Sequence, residues 1–290
     1  MTVYEIITEK IVSMLKDGVI PWRKPWSGSE LTPRNAVSKR PYRGINRFLL
    51  AASPYASPFW LTYKNAEALG GNVRKGEKST VVVFWKRSTF VKENEAGEDE
   101  ERSSIILRYY RVFNIEQCDL PQAFLDKLPK PETREHEPVS EAQAIVDAMP
   151  QRPEMTTGTA AFYRPSSDTV TLPALGSFDK PEDFYATAYH ELGHSTGHKS
   201  RLGRKGVMER TIMGSGDYSR EELVAEMTAA FLCAESGISP AVIENQASYV
   251  QSWLKVLKDD GKAVVIAAAQ AQKAADFILN RKPEDCEQAE

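Results

Sequence analysis

Disulfides, sulfur-bound metals and membrane spans are what this sequence lacks first. Its three cysteines, Cys118, Cys233 and Cys286, are odd in number, far apart and in no CxxC pair. Neither a disulfide framework nor a thiolate metal site is indicated, and a reducing, cytoplasmic setting is the default. No apolar run approaches the ~20 residues that a membrane-crossing helix needs, so no membrane partner is expected. Acids interrupt MTVYEIITEKIVSMLKDG at the start of the chain, which argues against a signal peptide and for an amphipathic helix. Internal repeats and low-complexity tracts are absent. Histidine is scarce too, four in 290 residues, yet three of the four stand together in AYHELGHSTGH, residues 188–198.

What is present divides by charge. From Arg23 to Lys92 there are 14 Lys and Arg against three acids, a net of +11, whereas residues 127–290 carry 18 against 25, a net of −7. Four of the five tryptophans lie before residue 90. Two halves facing different partners are expected, and a chain of this length has room for two separate cores. DKLPKPETREHEPVS, residues 126–140, is rich in proline and charge without an apolar period, as a linker would be. The division expected is 1–126, a linker at 127–140, and 141–290.

In the first half, Thr2 and Glu5 have capping-box spacing and Val3, Ile6, Ile7, Ile11, Met14 and Leu15 recur at helical spacing, with Gly18 as the stop. IPWRKPWSG is too proline-rich for a helix and is expected to present Trp22 and Trp26 on a loop. STVVVFWKRSTFV and IILRYYRVF read as a hairpin with KENEAGEDEERSS, residues 92–104, as its acidic tip. Alternate residues of VVVFW face inward, so part of the aromatic content is core. Elsewhere cations interleave with rings, and the candidates for nucleic-acid contact are Trp22, Lys24, Trp26, Arg40, Tyr42, Arg43, Arg47, Trp60, Tyr63, Arg74, Lys75 and Lys78. Cations neutralise phosphates, and aromatic faces stack unpaired bases at ~1–3 kcal/mol each. Single-stranded nucleic acid suits that combination, although charge alone leaves a duplex or an acidic protein open.

The second half holds HExxH at His190, Glu191 and His194. On a helix, positions i and i+4 share a face, so both imidazoles can converge on one divalent ion, zinc (Zn2+) above all, with Glu191 placed as general base. Pro181 suits the first turn of that helix. His198 would sit ~12 Å along the axis from His190 at ~1.5 Å per residue, too far for a third ligand. It reads as a cap, or as a supporting or substrate-side group. The longer pattern HExxHxxGxxH fails because Ser200 occupies its last position. A third ligand is sought on YSREELVAEMTAAFLCAESG, a helix expected to start at a Ser219 cap, where Glu222 and Glu226 are one turn apart. A capping box with Ser219 would by itself explain Glu222, and Glu226 is the alternative ligand; Glu222 as ligand with Glu226 in support is the favoured arrangement. AAFYRPSSDTVTLP reads as a hairpin whose strand Thr169–Leu172 could lie at a sheet edge beside a peptide substrate. The last segment reads as two helices broken at Asp259-Asp260-Gly261.

PWRKPW, YRGIN, WLTYKNAEALGGNVRKGEKS, RVFNIEQ, HELGHSTGH, EELVAEMTAAFL and SWLKVLKDD with AAAQAQKAADFIL together resemble the ArdC family of plasmid antirestriction proteins, over nearly the whole chain. The resemblance implies an α+β architecture: an N-terminal single-stranded-DNA-binding domain, shared with TraC-type primases, joined to a zincin-like metallopeptidase domain that is largely helical with a small sheet. The implied role is to protect conjugating plasmid DNA from host restriction. Two other readings stay open: a regulatory peptidase delivered to DNA and acting on a host protein or peptide, and a DNA-binding shield with a purely structural metal.

Overall fold

The computed structural model describes residues 2–17, 20–23, 32–93, 99–129, 138–208, 216–238 and 246–281. Lys24 and Trp26 lie outside them, as does most of the expected linker.

The chain opens with helix α1 (Val3–Lys16), and its capping box is closed: the Thr2 amide donates to Glu5 Oε2 at 2.7 Å, and the Glu5 amide donates to Thr2 Oγ1 at 3.3 Å. A four-stranded sheet follows in the order β1-β2-β5-β4, from β1 (Arg34–Asn35), β2 (Phe59–Thr62), β4 (Thr80–Glu93) and β5 (Asp99–Asn114). Helices α2 (Ile45–Ala51) and α3 (Tyr63–Ala68) interrupt the strands. A short ribbon of β3 (Asn72–Val73) with β6 (Cys118–Asp119) precedes α4 (Gln122–Leu125). The expected hairpin is present, but its strands run through most of the stretch read as an acidic tip, with Lys92 opposite Glu100 and Glu93 opposite Asp99. Ladder bonds are made by the backbone, so polar residues continue a strand that hydropathy alone would end.

The free edge of β4 is closed at one point. Asn46 Nδ2 donates to the Val83 carbonyl at 2.6 Å, and the Val83 amide donates to Asn46 Oδ1 at 2.7 Å. The buried Asn46 side chain thus supplies one rung of a missing strand.

From residue 138 on come α5 (Pro138–Ala148), β7 (Glu154–Thr157), β8 (Phe162–Arg164), β9 (Thr169–Leu172) and α6 (Pro181–Ser195). Then follow α7 (Lys205–Met208), α8 (Gly216–Ser236), α9 (Gln246–Asp259) and α10 (Ala263–Ile278). The break between the last two helices falls where Asp259-Asp260-Gly261 put it. Strand β9 is not an edge: it sits between β7, parallel to it, and β8, antiparallel. The edge expected of Thr169–Leu172 therefore belongs to β7 and β8.

Two small apolar clusters, one around Phe59 and Leu61 and one around Trp60 and Val82, lie within the first half, but the largest cluster crosses between the halves. Ile7, Ile11, Leu15, Trp22, Ile45, Phe48, Leu49 and Val83 join Phe231, Trp253, Val264 and Ile278 in one buried apolar cluster. Trp22 meets Trp253 edge-on with ring centroids 5.3 Å apart, and Phe48 stacks on Phe231 at 4.7 Å. Separate cores were expected because a proline-rich, charged stretch ordinarily marks a boundary; here α1 and α2 use α8, α9 and α10 as their apolar partners.

Candidate metal centre and nucleic-acid surface

Helix α6 lies against α8 at Gly193. A β-carbon at 193 would stand 3.3 Å from the Ala225 α-carbon, so the glycine inside HExxH permits the close crossing that brings the two helices' polar residues together. Helix α8 begins at Gly216, three residues before the expected cap, so Ser219 is an interior, buried residue and not an N-cap. Glu222 is thereby released from any capping box and points at the histidines.

The His190 and His194 Nε2 atoms are 3.1 Å apart. Glu222 places Oε2 3.5 Å from His190 Nε2 and Oε1 3.4 Å from His194 Nε2. One donor atom from each of the three residues lies within 4.8 Å of the others. Donors held ~2.0–2.1 Å from a tetrahedral ion stand ~3.3 Å from one another, so two imidazoles and a carboxylate at these separations fit one divalent ion. Burial opposes charge on all three groups. The imidazole–carboxylate contacts outweigh it, raising both histidines above their ordinary range and holding the Glu222 carboxyl well below its own.

Each imidazole also has a carboxylate on its far side. His194 Nδ1 is 3.4 Å from Glu221 Oε1, and the buried His190 Nδ1, without a hydrogen-bond partner among the described residues, is 3.9 Å from Glu226 Oε1. Glu226 therefore faces the His190 ring nitrogen that Glu222 does not. Glu221 was not anticipated, because in sequence it is only one of two adjacent acids near a helix start. Glu191 follows His190 on the helix and is 8% exposed. His198 takes no part in the donor set: its Nδ1 is 2.8 Å from Ser200 Oγ and 4.0 Å from Asp168 Oδ2, in the turn after α6. Arg201 donates to the Ser195 carbonyl at 2.7 Å and pairs with Asp168, fastening the β8–β9 hairpin to the end of the HExxH helix.

The basic half needs more correction. A stacking platform must present a face, and Trp22 and Trp60 are 1% exposed and Tyr42 6%. Burial pushes the Tyr42 hydroxyl up to about 12, against a hydrogen bond with Asn35. Arg47 is 4% exposed and faces Glu235 at 3.6 Å, Arg43 pairs with Asp276, and Arg74 bonds the Glu116 carbonyl and Glu77. Trp22, Trp60, Tyr42 and Arg47 are thus taken up by the protein itself, whereas Arg43 and Arg74 are paired but stay 33% and 45% exposed. Interleaved cations and rings read alike in sequence whether they face water or a neighbouring helix. Arg40, Tyr63, Lys75 and Lys78 do stand at the surface. So do three residues that the sequence reading passed over, Arg108, Tyr109 and Arg111, where β5 sets Tyr109 and Arg111 on one face. Tyr63 and Tyr109 are 50% and 45% exposed. No helix among the described residues is long and apolar enough to cross a membrane.

Residues 1–113 match the family described as the N-terminal domain of anti-restriction factor ArdC, and residues 140–270 match the zincin-like metallopeptidase family. A DNA primase TraC of Escherichia coli is 37% identical over 291 residues, covering 95% of this chain but 20% of the primase, so the chain spans about a fifth of that relative's length. Two crystal structures of the antirestriction ArdC protein from R388 plasmid are similar throughout, each with a TM-score of 0.74 over 97% of this chain. The metal-free one is 35% identical and wholly covered, and the Mn(II)-bound one is 34% identical and 98% covered. A likeness of this identity, running through both halves, places the chain in the ArdC family of antirestriction proteins.

Proposed function

We propose that this chain protects incoming plasmid DNA from host restriction, holding single strands on its basic half and carrying a metallopeptidase-type centre in the other. One observation carries the second part: His190, His194 and Glu222 converge from two helices with donor separations of 3.1, 3.4 and 3.5 Å, and Glu191 is the next residue along. Two nitrogens and one oxygen in that arrangement favour zinc over the hard, all-oxygen cations. A bound ion would supply Lewis acidity there. The chain's own contribution is the Glu191 carboxylate, placed to accept a proton from water and return it to a leaving amine. An extended peptide or host protein segment would pair with the open edge of β8 or β7.

On the basic half, Arg40, Lys75, Lys78, Arg108 and Arg111 offer charge to phosphates, and Tyr63 and Tyr109 offer ring faces to bases. The reading applies to a cytoplasmic protein that meets DNA as a single strand.

The test is restriction of a plasmid transferred by conjugation into a restricting recipient, comparing wild type, Glu191→Gln, and a His190→Ala/His194→Ala double variant, with metal content and single-strand affinity measured in each. Loss of protection in Glu191→Gln with metal and DNA binding intact supports a catalytic role. Full protection by both variants would leave a DNA-binding shield and overturn the catalytic reading.

A further inference from the structure

SRLGRKG, residues 200–206, runs from the turn after α6 into α7 and delivers Arg204 to the interior at 8% exposure. A buried guanidinium is costly unless its donors are used. Here they are. Arg204 Nε donates to Glu221 Oε2 at 3.0 Å and Nη2 donates to Glu221 Oε1 at 2.6 Å, a two-pronged grip on one carboxylate. Nη1 donates to Thr196 Oγ1 at 2.6 Å, and Nη2 to the Gly193 carbonyl at 2.8 Å. The same side chain therefore holds the end of α6, the helix turn that carries His194, and the α8 carboxylate that faces His194 Nδ1 at 3.4 Å. The loop folds tightly enough for this that a β-carbon on Gly197 would lie 3.2 Å from Arg204 Nη2.

Resting on the metal-centre reading above, we infer that Arg204 and Glu221 are positioning residues that fix His194 as a metal donor. An imidazole whose Nδ1–H is directed at a carboxylate keeps its Nε2 lone pair free, and a carboxylate that cannot rotate keeps the ring from turning. Glu221 supplies the first condition and the Arg204 fork supplies the second. A lysine could not: one ammonium cannot grip both carboxylate oxygens and reach Thr196 and Gly193 as well. The two histidines are consequently unequal. Among the described residues His190 has only the Glu226 oxygen at 3.9 Å behind it, so His194 is the anchored ligand and His190 the adaptable one.

The experiment titrates the full-length, metal-free chain with Co2+, reading Kd by calorimetry and ligand geometry by visible d–d absorption. Glu221→Gln is expected to raise Kd ~10–100-fold and to shift the d–d bands, the range that outer hydrogen-bond partners of metal ligands show. Arg204→Lys is expected to do the same to a smaller extent. Should Glu221→Gln fail to fold, the double variant Arg204→Gln/Glu221→Gln, which leaves no unpaired buried charge, is read with the same expectation. Unchanged Kd and spectrum alongside a lowered unfolding midpoint would make the pair a helix fastening alone and overturn the inference. Failure of wild type to bind Co2+, or equal binding by His190→Ala/His194→Ala, would instead overturn the metal-centre reading on which it rests.

Discussion

Replacing Trp22 by alanine tests whether the two halves share one core. The indole is 1% exposed and lies edge-on to Trp253 at 5.3 Å and to Phe48 at 6.2 Å. Truncating a buried tryptophan costs ~3–5 kcal/mol, of which each edge-to-face pair contributes ~0.5–1.5. Against a total stability of ~5–15 kcal/mol that is a large fraction. At a urea slope of ~2–3 kcal/mol/M the unfolding midpoint should fall by ~1–2.5 M. Far-UV circular dichroism is the informative probe, because most of the helix lies beyond residue 138 while Trp22 lies at the other end of the chain. The helical signal is expected to be lost in one transition that moves as a whole with Trp22→Ala. A cycle with Trp253→Ala should show the two effects to be coupled. Two separate transitions, with the C-terminal helices unfolding at the wild-type urea concentration, would refute a shared core.

Truncation makes the same point, since a fragment ending at Lys127 uncovers Ile7, Ile11, Leu15 and Phe48; it is expected to bind the hydrophobic dye ANS and to melt below the intact chain, and a rigid, dye-silent fragment would count against this. The Arg47–Glu235–Arg281 cluster carries a pH dependence: burial works against ionisation of Glu235, but Arg281 and Arg47 hold its carboxyl below the ordinary range. A depressed carboxyl stabilises above its unfolded pKa, ~4.3, and that stability drains as pH falls through the folded value. Glu235→Gln should therefore cost ~3–5 kcal/mol near pH 7, by removing the carboxylate that faces the buried Arg47, with the gap to wild type narrowing as pH falls below ~4 in urea melts. For DNA, Tyr63→Ala and Tyr109→Ala should each weaken single-strand binding by ~1–3 kcal/mol at unchanged salt slope. Arg40→Gln, Lys75→Gln and Lys78→Gln should each flatten that slope by ~0.7. Equal affinity for duplex with both tyrosine variants at wild-type strength would leave only a basic patch.

The candidate metal donors were legible because their chemistry is local. An i, i+4 histidine pair must share a helix face, and a second apolar helix was the better source of a carboxylate partner, so Glu222 could be favoured over Glu226. The first helix, its capping box and the break before α10 were legible for the same reason: each is set by residues within one or two turns. Arg204 and Glu221 were not, since a basic residue in a glycine-containing loop and the first of two adjacent glutamates both look solvated until the fold brings them together. Trp22, Tyr42, Trp60 and Arg47 failed in the opposite direction. Trp22 and Arg47 are buried by helices far away in sequence, and Tyr42 and Trp60 by the strands and rings of their own half; composition reports how many rings and charges a segment has but not which neighbours they meet. The acidic stretch at 99–104 was hidden by a different rule, because hairpin pairing is a property of the backbone.

The continuous core has a consequence for heredity. A recombination that exchanged one half for an unrelated domain would leave Trp22 and Phe48 facing water on one product, and Phe231 and Trp253 on the other. Unless several such positions changed together, the offspring would carry an exposed apolar patch of the kind that drives aggregation. The two halves should therefore move between genomes as one block, even into far longer polypeptides. The similarity to the Escherichia coli primase extends over 95% of this chain while occupying a fifth of that protein, as a segment inherited whole would.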